Sequence, residues 1–172
     1  MTTTTLETQR LILRPPDPRD WDGYKAFILS TRAEHAGRQT DLGGAWNAFA
    51  AHLGHWRIRG FGLWAVTRKG EDPAIGMVGP YYPGHWPEHE LGWVLFTAAE
   101  GQGFATEAAR AARGHAYTSL GWTTAVSYIA PGNHRSIAVA ERLGAALDPN
   151  AQQPKPATPC LVYRHPAPEA AP

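Results

Sequence analysis

A single cysteine, Cys160, stands in 172 residues. That excludes an internal disulfide framework and fits a reducing compartment. Charge of either sign is nowhere concentrated: 16 Lys and Arg face 15 Asp and Glu, for a net charge of +1. The sequence therefore lacks the basic block of a nucleic-acid or anionic-membrane binder. No run approaches the ~18 apolar residues of a membrane span. The opening "MTTTTLETQRLILRPP" also lacks the apolar core of a signal peptide. The expectation is a soluble, cytoplasmic protein with neither nucleic acid nor membrane as partner. Internal repeats and compositional breaks are missing too, so residues 1–172 read as one domain, long enough to bury a core.

What is present is ordinary globular patterning, with 43% hydrophobic residues, and this argues against wholesale disorder. "RLILRPP" (10–16) alternates and ends in two prolines, as an edge strand does. Asp17 and Asp20 offer N-caps to a helix running to Glu34, with Trp21, Tyr24, Phe27 and Ile28 on one face. A polar link, Gly37 to Gly44, precedes a second helix whose Trp46, Phe49, Ala50, Leu53 and Trp56 recur at helical spacing. Three strands follow, "FGLWAVTR", "AIGMVGPYY" and "ELGWVLF", joined by the hairpin signal "KGEDP" and by "PGHWPEH". Then come a helix at 104–119, the strand "TTAVSYIA", a short helix closed by Gly144, a Pro-rich loop at 147–159, the strand "CLVYRHP" and the frayed tail "APEAAP". The order β-α-α-β-β-β-α-β-α-β predicts an α/β chain of the α+β type, a mixed sheet with helices on its faces.

"EGQGFATEAARAARGHAY" (100–117) sets two glycines directly before an alanine-rich helix. Glycine turns tightly and leaves its amide uncovered. The first amides of a helix lack intrahelical partners and carry the positive end of the dipole, so together they suit an anion, most often a phosphate. The letters alone are also what a tight loop with no ligand produces. A dinucleotide fold would need an early βαβ unit, which the antiparallel lead-in opposes. A Walker A loop would need Lys-Ser or Lys-Thr where Phe104-Ala105 stand.

The succession strand, "EGQGFATEAARAA", strand, "APGNHRSIAVAERLGA" resembles the GNAT superfamily of N-acetyltransferases, and its RimJ/RimL-like branch in particular. The likeness extends to the opening "LETQRLILRPP" and the closing "VYRHP". It implies the GNAT fold, a mixed and largely antiparallel central sheet with helices on both faces. It implies acetyl-CoA as acyl donor and no metal. The family's phosphate-binding pattern falls on Glu100, Gly101, Gln102, Gly103, Phe104 and Ala105, with Thr106 completing the turn. Its second signature falls on Asn133, Ser136 and Glu141 to Ala145. Three departures stand out. Glu100 replaces a Gln or Arg, Ala145 replaces an aromatic, and Ala140 occupies the place of a tyrosine that protonates the departing thiolate.

The implied chemistry is direct attack of an amine on the acetyl thioester. A lysine-like amine has a pKa near ~10.4, so a base must accept its proton. The resemblance assigns that role to Glu90 in "HELGW"; a glutamate paired with Arg or His at the sheet surface is the structural alternative. His89 faces the other side by strand alternation. Backbone amides of Val94, Leu95 and Phe96 are expected to hold the developing oxyanion and the pantetheine arm. Ser136 either caps the short helix or stabilises the thiolate, and Asn133 either caps that helix or binds pantetheine. Tyr128 either reaches the thiol or packs, and Cys160 packs. "GPYYPGHWPEHE" (79–90) and helix 45–58 form the expected acceptor wall, while His85 and His89 find no third metal ligand. The acceptor is a small-molecule amine or a protein N-terminus, and the protein a monomer or homodimer. The rival reading is a non-catalytic acyl-CoA-binding module.

Overall fold

The computed structural model describes residues 4–96, 99–155 and 157–168; the end of the "APEAAP" tail lies outside them. The elements are β1 (Leu6–Glu7), β2 (Leu11–Arg14), α1 (Trp21–Ile28), α2 (Leu42–Arg59), β3 (Trp64–Arg68), β4 (Gly76–Tyr81), β5 (Glu90–Leu95), α3 (Phe104–Thr118), β6 (Val126–Ile129), α4 (His134–Arg142), β7 (Ala146–Leu147) and β8 (Leu161–Arg164). The strands form one eight-stranded sheet in the order β1-β2-β3-β4-β5-β6-β8-β7. Every neighbouring pair is antiparallel except β5 with β6.

That parallel pair is the feature that makes a site. β4 and β5 stay in register from Gly76 opposite Leu95 to Tyr81 opposite Glu90. β5 and β6 pair only at Glu90 opposite Val126 among the described residues, and then part. Where the ladder stops, the Ser127 hydroxyl donates to the Leu91 carbonyl at 2.7 Å. The Ser127 oxygen in turn accepts from His165 Nε2 (3.0 Å), whose Nδ1 accepts from Arg113 (3.3 Å). An Arg can only donate, so this chain fixes the neutral Nε2–H tautomer of His165. Burial, and secondarily the Arg113 charge, push the His165 pKa down to about 4.

Apolar residues cover both faces of the sheet. On one, Leu11, Leu13, Trp64, Val66, Val78 and Leu91 meet Ala108, Ala109 and Ala112 of α3. Alanine lets the helix backbone approach the sheet closely, which explains the alanine-rich run. On the other face Met77 and Phe96 meet Tyr24, Phe27 and Ile28 of α1 and Phe49 of α2. Gly76 is required where β4 meets β5, because a Cβ there would collide with the Val94 carbonyl.

Local hydrogen bonds redraw some expected boundaries. α1 ends at Ile28 rather than Glu34, and the Ser30 hydroxyl turns back onto the Phe27 carbonyl at 2.6 Å. α2 begins at Leu42, so Gly43 and Gly44 lie in its first turn and not in a link. The cause is Asp41, whose carboxylate accepts the Gly44 N–H at 2.8 Å. Asp17 caps a short 3₁₀ turn before α1, while Asp20 is taken by a two-pronged bond from Arg14 and caps nothing at α1. Ala45, Phe49 and His55 form the buried stripe of α2; Trp46 is 56% exposed and meets the edge of Trp21. β1 and β7, two residues each, are too short for any periodic signal.

Candidate active site

The glycine turn before α3 has the backbone its sequence suggests. Gly101 (φ +76°) and Gly103 (φ +79°) both sit in the left-handed region, and Gly103 is the N-cap of α3. A side chain at either position would strain the backbone. The first amides of α3, on Phe104, Ala105 and Thr106, have no intrahelical acceptor. Gly101 and Gly103 to Thr106 line one end of a cavity of ≈ 1850 Å³.

Arg10 buttresses the turn and lines the cavity with it. Its guanidinium lies 4.5 Å from the Phe104 ring centroid and donates to the Gln102 carbonyl (3.0 Å) and to Glu107 (2.7 Å). Gln102 thus shapes the turn through its carbonyl. Glu100, an odd neighbour for a pyrophosphate, forms ion pairs with Arg32 (2.7 Å) before α2 and Arg135 of α4 (2.5 Å). Both arginines line the cavity, so this departure brings two cations to the glycine-turn end of it for one anion.

From the turn, the cavity runs along the gap between β5 and β6. Val94 and Leu95 line it. Phe96 departs from expectation: its amide donates to the Ile75 carbonyl at 2.7 Å, and its ring packs on Tyr24 and Phe27. Phe96 ends the strand and anchors α1, and its N–H is spent. Asn133 takes the capping alternative, its side chain accepting the Ser136 N–H at 3.2 Å. Ser136 is consequently not the cap. Its hydroxyl accepts from the Trp93 indole (3.2 Å) and keeps its own proton to donate into the cavity it lines.

The far end holds Glu90. Its carboxylate accepts the Trp86 indole N–H at 2.6 Å. It lies deep in the protein yet lines the cavity, and desolvation pushes its pKa up to about 7 against the opposing pull of Trp86, Lys155 and the Tyr128 amide. Tyr24, Phe27, Ile28, His52, Tyr81 and Trp86 wall this end. Burial lowers the His52 pKa to about 4 and raises that of Tyr24 to about 12, so both are neutral near pH 7. His89 stacks on Trp122 at 4.2 Å outside the cavity, as strand alternation predicts. Among the described residues no His, Cys, Asp and Glu cluster is placed to hold a metal.

Two placements were beyond sequence reasoning, and a third follows from the sequence. Tyr24, Phe27 and Ile28 face the cavity as well as the core; their periodicity reports only an apolar face. Cys160, far from the glycine turn in sequence, lines the same cavity as Glu90. Ala140 is fully buried against Ile129 and Tyr163, so α4 brings no phenol into the cavity.

The sequence matches the family described as Acetyltransferase (GNAT) domain over residues 10–146. The structure is similar to that of an acetyltransferase from Agrobacterium tumefaciens str. C58, with 39% identity and a TM-score of 0.89 over 96% of this chain and 95% of that one. It is also similar to a GnaT-family acetyltransferase from Bordetella pertussis, with 26% identity and a TM-score of 0.77 over 95% and 99% of the two chains. A ribosomal-protein-S5-alanine acetyltransferase from Vibrio fischeri shares the fold at 15% identity and a TM-score of 0.70, over 98% of this chain and all of that one, 100%. With its sheet parted between β5 and β6 and its glycine turn opening α3, the chain belongs to the GNAT acetyltransferase family.

Proposed function

We propose that this protein is a cytoplasmic N-acetyltransferase of the RimJ/RimL-like branch, one domain over residues 1–172, that moves the acetyl group of acetyl-CoA directly onto a primary amine. One observation carries the reading: a deep carboxylate, Glu90, shares a single cavity with the glycine turn of α3, at the point where two strands part. Acetyl-CoA supplies an activated thioester. The amides of Phe104, Ala105 and Thr106 suit its pyrophosphate, and the unpaired edge of β5 at Leu95, which faces away from β4 where Val94 pairs with Met77, suits its pantetheine arm.

Glu90 then handles the proton. An ammonium entering the chamber meets the carboxylate as an ion pair, and desolvation lowers the amine's pKa. A carboxylate near pKa 7 is far better matched to that proton than an ordinary glutamate. Ser136 holds a hydroxyl proton for the departing sulfur. The test is thiol release from acetyl-CoA over an amine panel, with calorimetric CoA binding alongside. Amine-dependent thiol release that falls in Glu90→Gln while CoA affinity holds supports the proposal. CoA binding without release by any amine makes the protein the acyl-CoA-binding module, the reading favoured by the buried Ala140.

A further inference from the structure

The acceptor end of the cavity constrains what enters it. Three described carboxylates line the whole cavity: Glu90, Glu100 and Glu107. Glu100 is tied to Arg32 and Arg135, and Glu107 to Arg10, all at the cofactor end. That leaves Glu90 as the one anion facing the acceptor. The walls around it are neutral, Tyr24, Phe27 and Ile28 from α1, His52 from α2, Tyr81 from β4 and Trp86 from the next connection. Pro154, Thr158, Pro159 and Cys160 close the opposite side. Lys155, exposed to solvent and 5.7 Å from the Trp86 ring centroid, is the one cation of this side among the described residues, and its charge acts on Glu90 from the solvent-facing lining.

Building on the acetyl-transfer reading above, we propose that the acceptor is a small monoamine with an apolar, ring-bearing body, an arylalkylamine in chemical class. A single ammonium finds a single carboxylate. A polyamine would leave a second ammonium against aromatic walls without a counter-charge, and an unpaired buried ion is costly. An α-amino acid carries its carboxylate next to the amine and would hold it against Glu90, where like charges repel. Rings suit the remaining surface, because aromatic pairs add to burial when offset or edge-on. Tyr24, Tyr81 and Trp86 are already arranged edge-on to neighbours within this wall, Trp86 to Tyr81 at 6.1 Å and Tyr24 to His52 at 5.6 Å.

The experiment compares four acceptors by thiol release: 2-phenylethylamine, phenylalanine, spermidine and a tripeptide with a free N-terminus. The first two differ only in the carboxylate. A kcat/KM at least tenfold higher for 2-phenylethylamine than for each of the others is expected, with calorimetric binding of it to the CoA complex. Tyr24→Leu should raise its KM several-fold with kcat and CoA affinity held. Equal or better turnover of phenylalanine, spermidine or the tripeptide overturns the monoamine inference and leaves acetyl transfer standing. Thiol release with none of the four overturns this inference, and silence across the wider amine panel as well, beside intact CoA binding, overturns the transfer reading with it.

Discussion

The indole N–H of Trp86 donates to the Glu90 carboxylate at 2.6 Å, across four residues of a connection that turns β4 into β5. This bond stabilises the ionised carboxylate in a place where desolvation opposes it. Removing the donor should therefore move the base away from neutrality. In Trp86→Phe the acidic limb of the kcat/KM profile should shift upward by about one unit, the scale of one hydrogen bond to a charged group. A pH–rate series on wild type and variant checks it, and an unmoved limb would mean that Glu90 does not govern the profile.

Removing the carboxylate itself should cost far more. Glu90→Gln keeps the size and an oxygen to accept the Trp86 N–H, and removes only the charge and basicity. Turnover should fall on the order of 100-fold at pH 7, the usual scale of a lost general base. The deficit should shrink at high pH, where the amine deprotonates unaided. CoA affinity by calorimetry should match wild type, because the glycine turn proposed to bind it is held by Arg10 and by α3 itself.

Much of this arrangement was legible in the residues and some was not, for physical reasons. The glycine turn is readable because the backbone demand at Gly101 and Gly103 is local, and glycine meets it best. The caps at Asp41 and Asn133 are local too, yet the neighbouring Gly43-Gly44 pair hid the true start of α2, and Ser136 competed for the role of cap. Resemblance singles out Glu90, but not the surroundings that set its pKa. Those surroundings include Tyr128 of β6 and Lys155 and Cys160 of the β7–β8 connection, segments distant in sequence. The pairing of Glu100 with Arg32 and Arg135 was equally hidden, since no short-range pattern links three separate elements.

The turn makes its own prediction. Gly103 has φ +79°, and a Cβ there would lie 3.6 Å from an Arg10 guanidinium nitrogen. Gly103→Asp adds backbone strain and sets a carboxylate beside the amides of α3. CoA binding should vanish from calorimetry in a variant whose circular dichroism remains native. Gly103→Ala, which adds strain without charge, should bind CoA more weakly than wild type and more tightly than the Asp variant.

Stability should move opposite to activity at Glu90. Desolvation raises this carboxyl from 4.5 in the unfolded chain to about 7 in the fold. The folded state then binds a proton that the unfolded state has lost. Stability from this group is fully present below pH 4.5, falls as pH rises, and is gone above about 7. At ~1.36 kcal/mol per unit, the full loss is at most about 3 kcal/mol. Glu90→Gln cannot ionise, so it escapes that loss while keeping the Trp86 bond. Its urea midpoint should exceed that of wild type at pH 8, and the difference should close by pH 4.5. His165 adds a separate limb. Its pKa is pushed down to about 4 by burial, so its contribution is present above the unfolded value of 6.5 and fades as pH falls toward 4. Both proteins should lose that part alike, which leaves the alkaline gap between them to report on Glu90 alone. A Gln variant no more stable than wild type at pH 8 would mean that the carboxylate is already well solvated in the fold. A base with nothing stored against it would then have to accept the proton as an ordinary glutamate.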